Sequence, residues 1–216
     1  MRKSFMAVAA VLALSAAAEA NAVIVFNNAA RQDFQTSRGA GSSPVAAITV
    51  SSTQFLNQIG VSLDPTGNAN LKFVVFNLDT QALLFSTGPV SFADVGSGFY
   101  LSPTFTPFTL TPGINYGIGA VADVAGLWGT NNSSSGNPFS QGGFTASDDR
   151  NGNVTSYAPP TLAAGGDGAA MIIVELGVAA VPEPASAALL LAGLAVAGGV
   201  AARRRRGTGA SESPDA

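Results

Sequence analysis

The 216 residues include no cysteine and no histidine. Without cysteine there can be no disulfide, no thiolate metal site and no lipid-modified N-terminal Cys, so stability outside the cytoplasm must come from packing. Without histidine the commonest general base and the commonest metal ligand are missing together, and every Ser-His-Asp or Cys-His mechanism is excluded. Charge is also scarce, at 11% of residues, and there is one tryptophan. Between Val23 and Val181 only four bases (Arg31, Arg38, Lys72, Arg150) stand against nine acids. A mildly acidic surface of this kind disfavours nucleic acid as a partner.

What the chain does have is concentrated at its ends. Arg2 and Lys3 precede an apolar run from Phe5 to Ala18, followed by small residues in Ala18-Glu19-Ala20 and Ala20-Asn21-Ala22. A charged start, a short apolar stretch and an A-x-A site predict a secretory signal peptide over residues 1–22, cut by signal peptidase at Ala20 or Ala22.

Near the other end, residues 185–202 carry no charge. As a helix they would extend about 27 Å, close to the roughly 30 Å of a hydrocarbon core. Gly193, Gly198 and Gly199 are at home in membrane helices. Arg203, Arg204, Arg205 and Arg206 then act as a stop, because guanidinium groups are expensive to move through lipid and favour the cytoplasmic side. The pattern predicts a single C-terminal transmembrane helix, the body outside, and residues 207–216 as a short cytoplasmic tail.

The body, residues 23–180, reads as short apolar bursts separated by Gly, Pro, Asn and Ser. Strands are predicted over 23–26, 46–51, 55–63, 71–77, 82–86, 99–101, 106–111, 116–122 and 170–177. Turn signals in "DPTGNAN" (64–70) and "LTPGINY" (110–116) fold each element back on its neighbour, with Pro112-Gly113 placed for a type II turn. The expected class is all-β, an antiparallel jelly-roll-like β-sandwich. In "KFVVFN" (72–77), Phe73 and Val75 should share one face and Val74 and Phe76 the other. Three stretches, 31–44, 129–144 and 148–168, are polar and predicted to be irregular.

Candidate chemistry is sparse. Two carboxylates can hydrolyse a glycoside without histidine, but nothing in the spacing of Glu175, Asp79 and Asp123 brings two together, and no catalytic residue or cofactor is expected. "SDDRNGN" (147–153) suits a hard cation. The helix-loop-helix calcium template fails there, since Ser147 and Ala158 stand where its carboxylates should be. Asp148, Asp149 and Asn151 remain a candidate calcium set, against the alternative of a solvated turn. Trp128, beside a long polar stretch, is a candidate for stacking on a sugar or, more simply, a core residue.

At Pro182, Glu183 and Pro184 the tail resembles the sorting signal of the PEP-CTERM family: the triplet, one membrane span and a basic cluster, in that order. The resemblance implies recognition and cutting by an exosortase of a Gram-negative bacterium, with transit through the inner membrane and delivery to the cell surface or extracellular matrix. The prolines forbid helix at Glu183 and keep the segment extended for a protease cleft. The body is similar, more loosely, to jelly-roll domains found upstream of such anchors, through "NLKFVVFNLDTQALLFSTGPVSF" and "FTPFTLTPGINYGIGAV". The function expected is that of a non-catalytic exported surface or matrix protein. Its alternatives are a calcium-assisted module binding extracellular polysaccharide and an anchored hydrolase.

Overall fold

A computed structural model of the chain describes residues 22–131, 138–164 and 171–179, with the backbone alone described at 148–151, 164 and 171. All of them belong to one unit, which ends at Ala179. The strands are β1 (Ala22–Asn27), β2 (Phe34–Arg38), β3 (Ser43–Val50), β4 (Gln54–Pro65), β5 (Ala69–Asn77), β6 (Leu83–Ser86), β7 (Val90–Phe92) and β8 (Gly98–Leu101). They continue with β9 (Phe108–Leu110), β10 (Tyr116–Ala122), β11 (Gly126–Asn131), β12 (Phe139–Gln141), β13 (Phe144–Tyr157), β14 (Pro160–Ala164), β15 (Met171–Ile172) and β16 (Val174–Ala179). One 3-10 turn, Ala29–Arg31, follows β1.

Strand β10 shows why these residues make a sandwich. Ile118 and Ala120 are buried in the main core, while Gly117 and Gly119 alternate with them onto the other face. A Cβ on Gly117 would lie 2.8 Å from Leu78 Cδ2 and 3.0 Å from Val45 Cγ2, so the missing side chains let a second apolar layer close on this strand. The same alternation runs along β5. Phe73 and Val75 join the main core, and Val74 and Phe76 join a second cluster with Val45, Val121, Val154 and Leu162. The two faces of "KFVVFN" are thus as the sequence predicts, and both are dry.

The strands form two antiparallel sheets. The first runs β1-β16-β4-β11-β15, with β2 on β11 and with β8 and β9 on β4. The second runs β12-β13-β3-β10-β5-β6, with β14 on β13 and β7 on β5. Between them lies the main core, which includes Phe26, Ile48, Leu56, Ile59, Phe73, Tyr116, Trp128, Phe144 and Leu176. With no disulfide available, this double layer of apolar contacts is what stabilises the body, at about 25 cal/mol for each Å² removed from water.

The three stretches predicted to be irregular are corrected by the structure. β2 lies inside 31–44; β11 runs through Asn131 and β12 follows; β13 continues through Tyr157 and pairs with β14. Residues 132–137 and 165–170 lie outside the described residues. Pairing here is carried by the backbone, which any side chain can supply, while Phe144, Ala146 and Val154 bury one residue in two or fewer. A second correction concerns 170–177, expected as one strand. It breaks at Ile173, between β15 and β16.

Candidate functional site

The break at Ile173 is bridged from another part of the chain. Asn28, fully buried, donates Nδ2 to the carbonyl of Ile172 at 2.8 Å and accepts the N–H of Val174 on Oδ1 at 2.7 Å. This fastens the end of β1 to the last strand. Ala22 pairs with Ala179 and Asn27 with Glu175, so the first and last strands of the body run side by side.

The residues of the sorting tail, Pro182, Glu183, Pro184 and Arg203 to Arg206, lie outside the described residues, as do Ala20 and the predicted helix 185–202. Among the described residues no helix is long and apolar enough to cross a membrane. Ala22, the later of the two cleavage positions, is the first residue of β1.

The carboxylates weighed for catalysis are separated, each engaged by its own asparagine. Glu175 Oε1 accepts a hydrogen bond from Asn27 Nδ2 on the outer side of the first sheet. Asp79 accepts from Asn115 Nδ2 at 3.2 Å on both oxygens. Asp123 accepts from the backbone N–H of Asn70 at 2.8 Å and from its Nδ2 at 2.7 Å. Asn115 precedes β10 and Asp123 follows it, so Asp79 and Asp123 stand at opposite ends of a seven-residue strand, roughly 20 Å long.

Glu175 has the most altered environment of the three. Its neighbours across the sheet are Gly60, where a Cβ would sit 3.2 Å from the Glu175 Cβ, and Asn27. Burial pushes its carboxyl above the usual value, and the Asn27 hydrogen bond pulls the other way without cancelling the shift.

Asp148, Asp149 and Asn151 fall within β13, where its register against β3 shifts between Ser147 and Gly152. Among the described residues no group of three or more acidic, His or Cys side chains could hold a metal ion. Trp128 is 1% exposed and packs in the main core. Its ring offers no face to a sugar, which corrects the stacking role considered from the sequence. It lies between Leu63 and Thr36 in the sheet, and its alternation with outward-facing Leu127 explains the burial.

An open depression that the sequence reading missed lies at the β2 edge of the first sheet. It is lined by Gln32, Asp33, Phe34, Gln35 and Leu127, with a volume of about 550 Å³. Gln35 sits opposite Gly129, two residues from Leu127, so the two side chains share the outer face. Gly129 provides the floor, since a Cβ there would collide with Ser62 Oγ and Gln32 Oε1. Gln32 therefore crosses the floor and accepts a hydrogen bond from Ser62 Oγ at 2.8 Å, while Gln35 Nε2 donates to Ser97 Oγ at 3.4 Å. Phe34 is 54% exposed and Leu127 38%. The only signal of this site in the sequence is "RQDFQ", which read as an irregular polar stretch.

Comparison with known proteins assigns the tail. Residues 180–206 match the family model described as the PEP-CTERM protein-sorting motif. The chain matches no curated protein.

Proposed function

We propose that this chain, which ends in a PEP-CTERM sorting motif, is a non-catalytic cargo protein of the cell surface or exopolysaccharide matrix of a Gram-negative bacterium. The motif implies an exported protein sorted in transit through the membrane by an exosortase. Signal peptidase removes residues up to Ala20 or Ala22. Residues 185–202 then hold the chain in the membrane, with Arg203 to Arg206 on the cytoplasmic side, and present the extended Pro182-Glu183-Pro184 to the sorting enzyme.

The observation that carries this reading is the match of residues 180–206 directly after the last strand. β16 ends at Ala179, so a cut at the triplet removes no residue of the sandwich and releases the body whole. From β3 onward the chain passes back and forth between the sheets: β3 in the second, β4 in the first, β5 to β7 in the second, β8 and β9 in the first, β10 in the second, β11 in the first, β12 to β14 in the second, β15 and β16 in the first. This alternation supports a sandwich of the jelly-roll kind.

The test is the intact mass of the protein released from its native host, with and without the sorting enzyme. A chain that begins at Asn21 or Val23 and ends near Pro182–Pro184 only when the enzyme is present is the expected result. A chain that keeps Arg203–Arg206 in both strains would overturn it and make the tail a permanent anchor.

A further inference from the structure

We infer that the end of the sandwich at which the last strand finishes is a contact surface for a zwitterionic lipid bilayer. Ala179 closes β16 there, paired with Ala22 at the start of β1. Around this exit point stand Val23 and Ile24, opposite Val178 and Gly177, and Phe55, whose neighbour Leu56 pairs with Val178. All three side chains are exposed. An apolar group of this size gathered at one end of a body marks a contact surface rather than a chance exposure.

Charge is sorted along the body in the same sense. The Ser51 N–H bonds to the Gly143 carbonyl, and Tyr116 pairs with both Ile48 and Asn77, which brings the turns 51–53, 78–82, 111–115 and 142–143 to this end. They contain one charged residue, Asp79. At the opposite end Arg38, Asp64, Asp94 and Asp123 lie in or beside the turns. The end that bears the exposed apolar side chains is thus the one that loses least by leaving water. Signal cleavage adds an α-amino group close to Val23, so the end carries one charge of each sign. Those turns hold no lysine or arginine, and attraction to the bilayer comes from apolar surface and not from anionic headgroups.

The occupant is set by the length of chain that follows. Five residues lie between Ala179 and the uncharged run 185–202. Fully extended they reach about 20 Å. A chain anchored through that run has no more than this with which to stand off from the lipid, so the bilayer is present at a high effective concentration. A free partner in solution has no such advantage.

The inference rests on the membrane segment proposed above, and its test separates the two. Because the chain has no cysteine, Ser52→Cys in the β3–β4 turn and Val95→Cys at the opposite end each take a single bimane label. The exported chain is reconstituted in phosphatidylcholine nanodiscs that contain nitroxide-labelled acyl chains. The lipid nitroxide quenches the Ser52→Cys label at least about twofold more than the Val95→Cys label, at low and high salt alike. Phe55→Asp and Ile24→Asp abolish that difference, whereas Leu127→Asp preserves it, and thermal unfolding establishes that the variants are folded. Equal quenching at the two positions, in a chain that resists carbonate extraction from native membranes, overturns the contact surface and leaves the anchor standing. A difference that survives both Phe55→Asp and Ile24→Asp reports the tether alone and also overturns it. A Ser52→Cys label shielded from aqueous iodide yet unquenched by lipid gives the surface to a second copy of the chain. Extraction by carbonate overturns the anchor and the contact surface together.

Discussion

Asn28 acts toward Val174 as a strand would: its Oδ1 accepts the Val174 N–H at 2.7 Å, across 146 residues of chain, while its Nδ2 serves Ile172 at 2.8 Å. Asn28→Ala leaves a buried donor and a buried acceptor without partners. At about 1–3 kcal/mol for each, the loss is about 2–6 kcal/mol, a large share of the stability of a domain this size. Asn28→Asp recovers the bond from Val174 but sets an oxygen against the Ile172 carbonyl, and stays well below wild type. Urea unfolding midpoints of the three proteins check the order.

Two tyrosines hold the turns that precede their own strands. Tyr116 accepts the Thr111 N–H on its hydroxyl at 2.9 Å, and the Tyr100 hydroxyl donates to the Gly96 carbonyl at 3.0 Å. Tyr116→Phe and Tyr100→Phe should each cost about 1 kcal/mol, and the double variant should be additive within about 0.5 kcal/mol because the turns share no partner. A double-mutant cycle in urea measures this.

Adjacent glycines in the β12–β13 turn should respond differently. Gly142 has φ +58°, and a Cβ there would run into the backbone carbonyl of Val25, which can yield only if β1 shifts. Gly143 has φ +83°, but its Cβ would meet the flexible end of Gln54 at 2.8 Å. Gly143→Ala should cost about 1–2 kcal/mol from the left-handed conformation alone. Gly142→Ala should cost more, and should also loosen β1, whose Asn27 N–H donates to Gln141 at 2.9 Å. Hydrogen exchange at Asn27 reports that second effect.

Glu175 gives the body a definite pH dependence. Its carboxyl has a raised pKa in the folded protein, mainly through burial, so the folded state holds the proton more tightly than the unfolded one. Its contribution is therefore fully present below the ordinary glutamate value and is lost as pH rises through the raised value. Glu175→Gln keeps an oxygen for Asn27 and removes the charge. The variant should unfold at a higher temperature than wild type at pH 7, with the gap closing at pH 3. Melting curves across that range decide it.

The residues that reveal the fold in the sequence are those that alternate. "YGIGAVA" forms β10 over 116–122 as predicted, because its apolar and glycine positions change face at every step. Gly113, in the predicted type II turn, has φ +83° as that turn demands. β2 and β13 were hidden because their polar side chains signal turns while their backbones supply the pairing. The break at Ile173 depends on Asn28, and no local pattern announces a partner that far away. The sorting tail is legible because its parts act through their order along the chain. The depression around Gln32 and Gln35 is not, because Gly129 and Ser62, which shape it, reach it only through pairing.

The place of β16 between β1 and β4 sets a schedule. β1 has no strand to pair with until β16, the final strand of the sandwich, is in place, and until then it stays detached from the rest of the first sheet. Only a few residues separate that moment from the arrival of the Pro-Glu-Pro triplet. Closure of the body and exposure of the tail thus become nearly simultaneous events, so a sorting enzyme that waits for the triplet receives a cargo with every strand it needs to close.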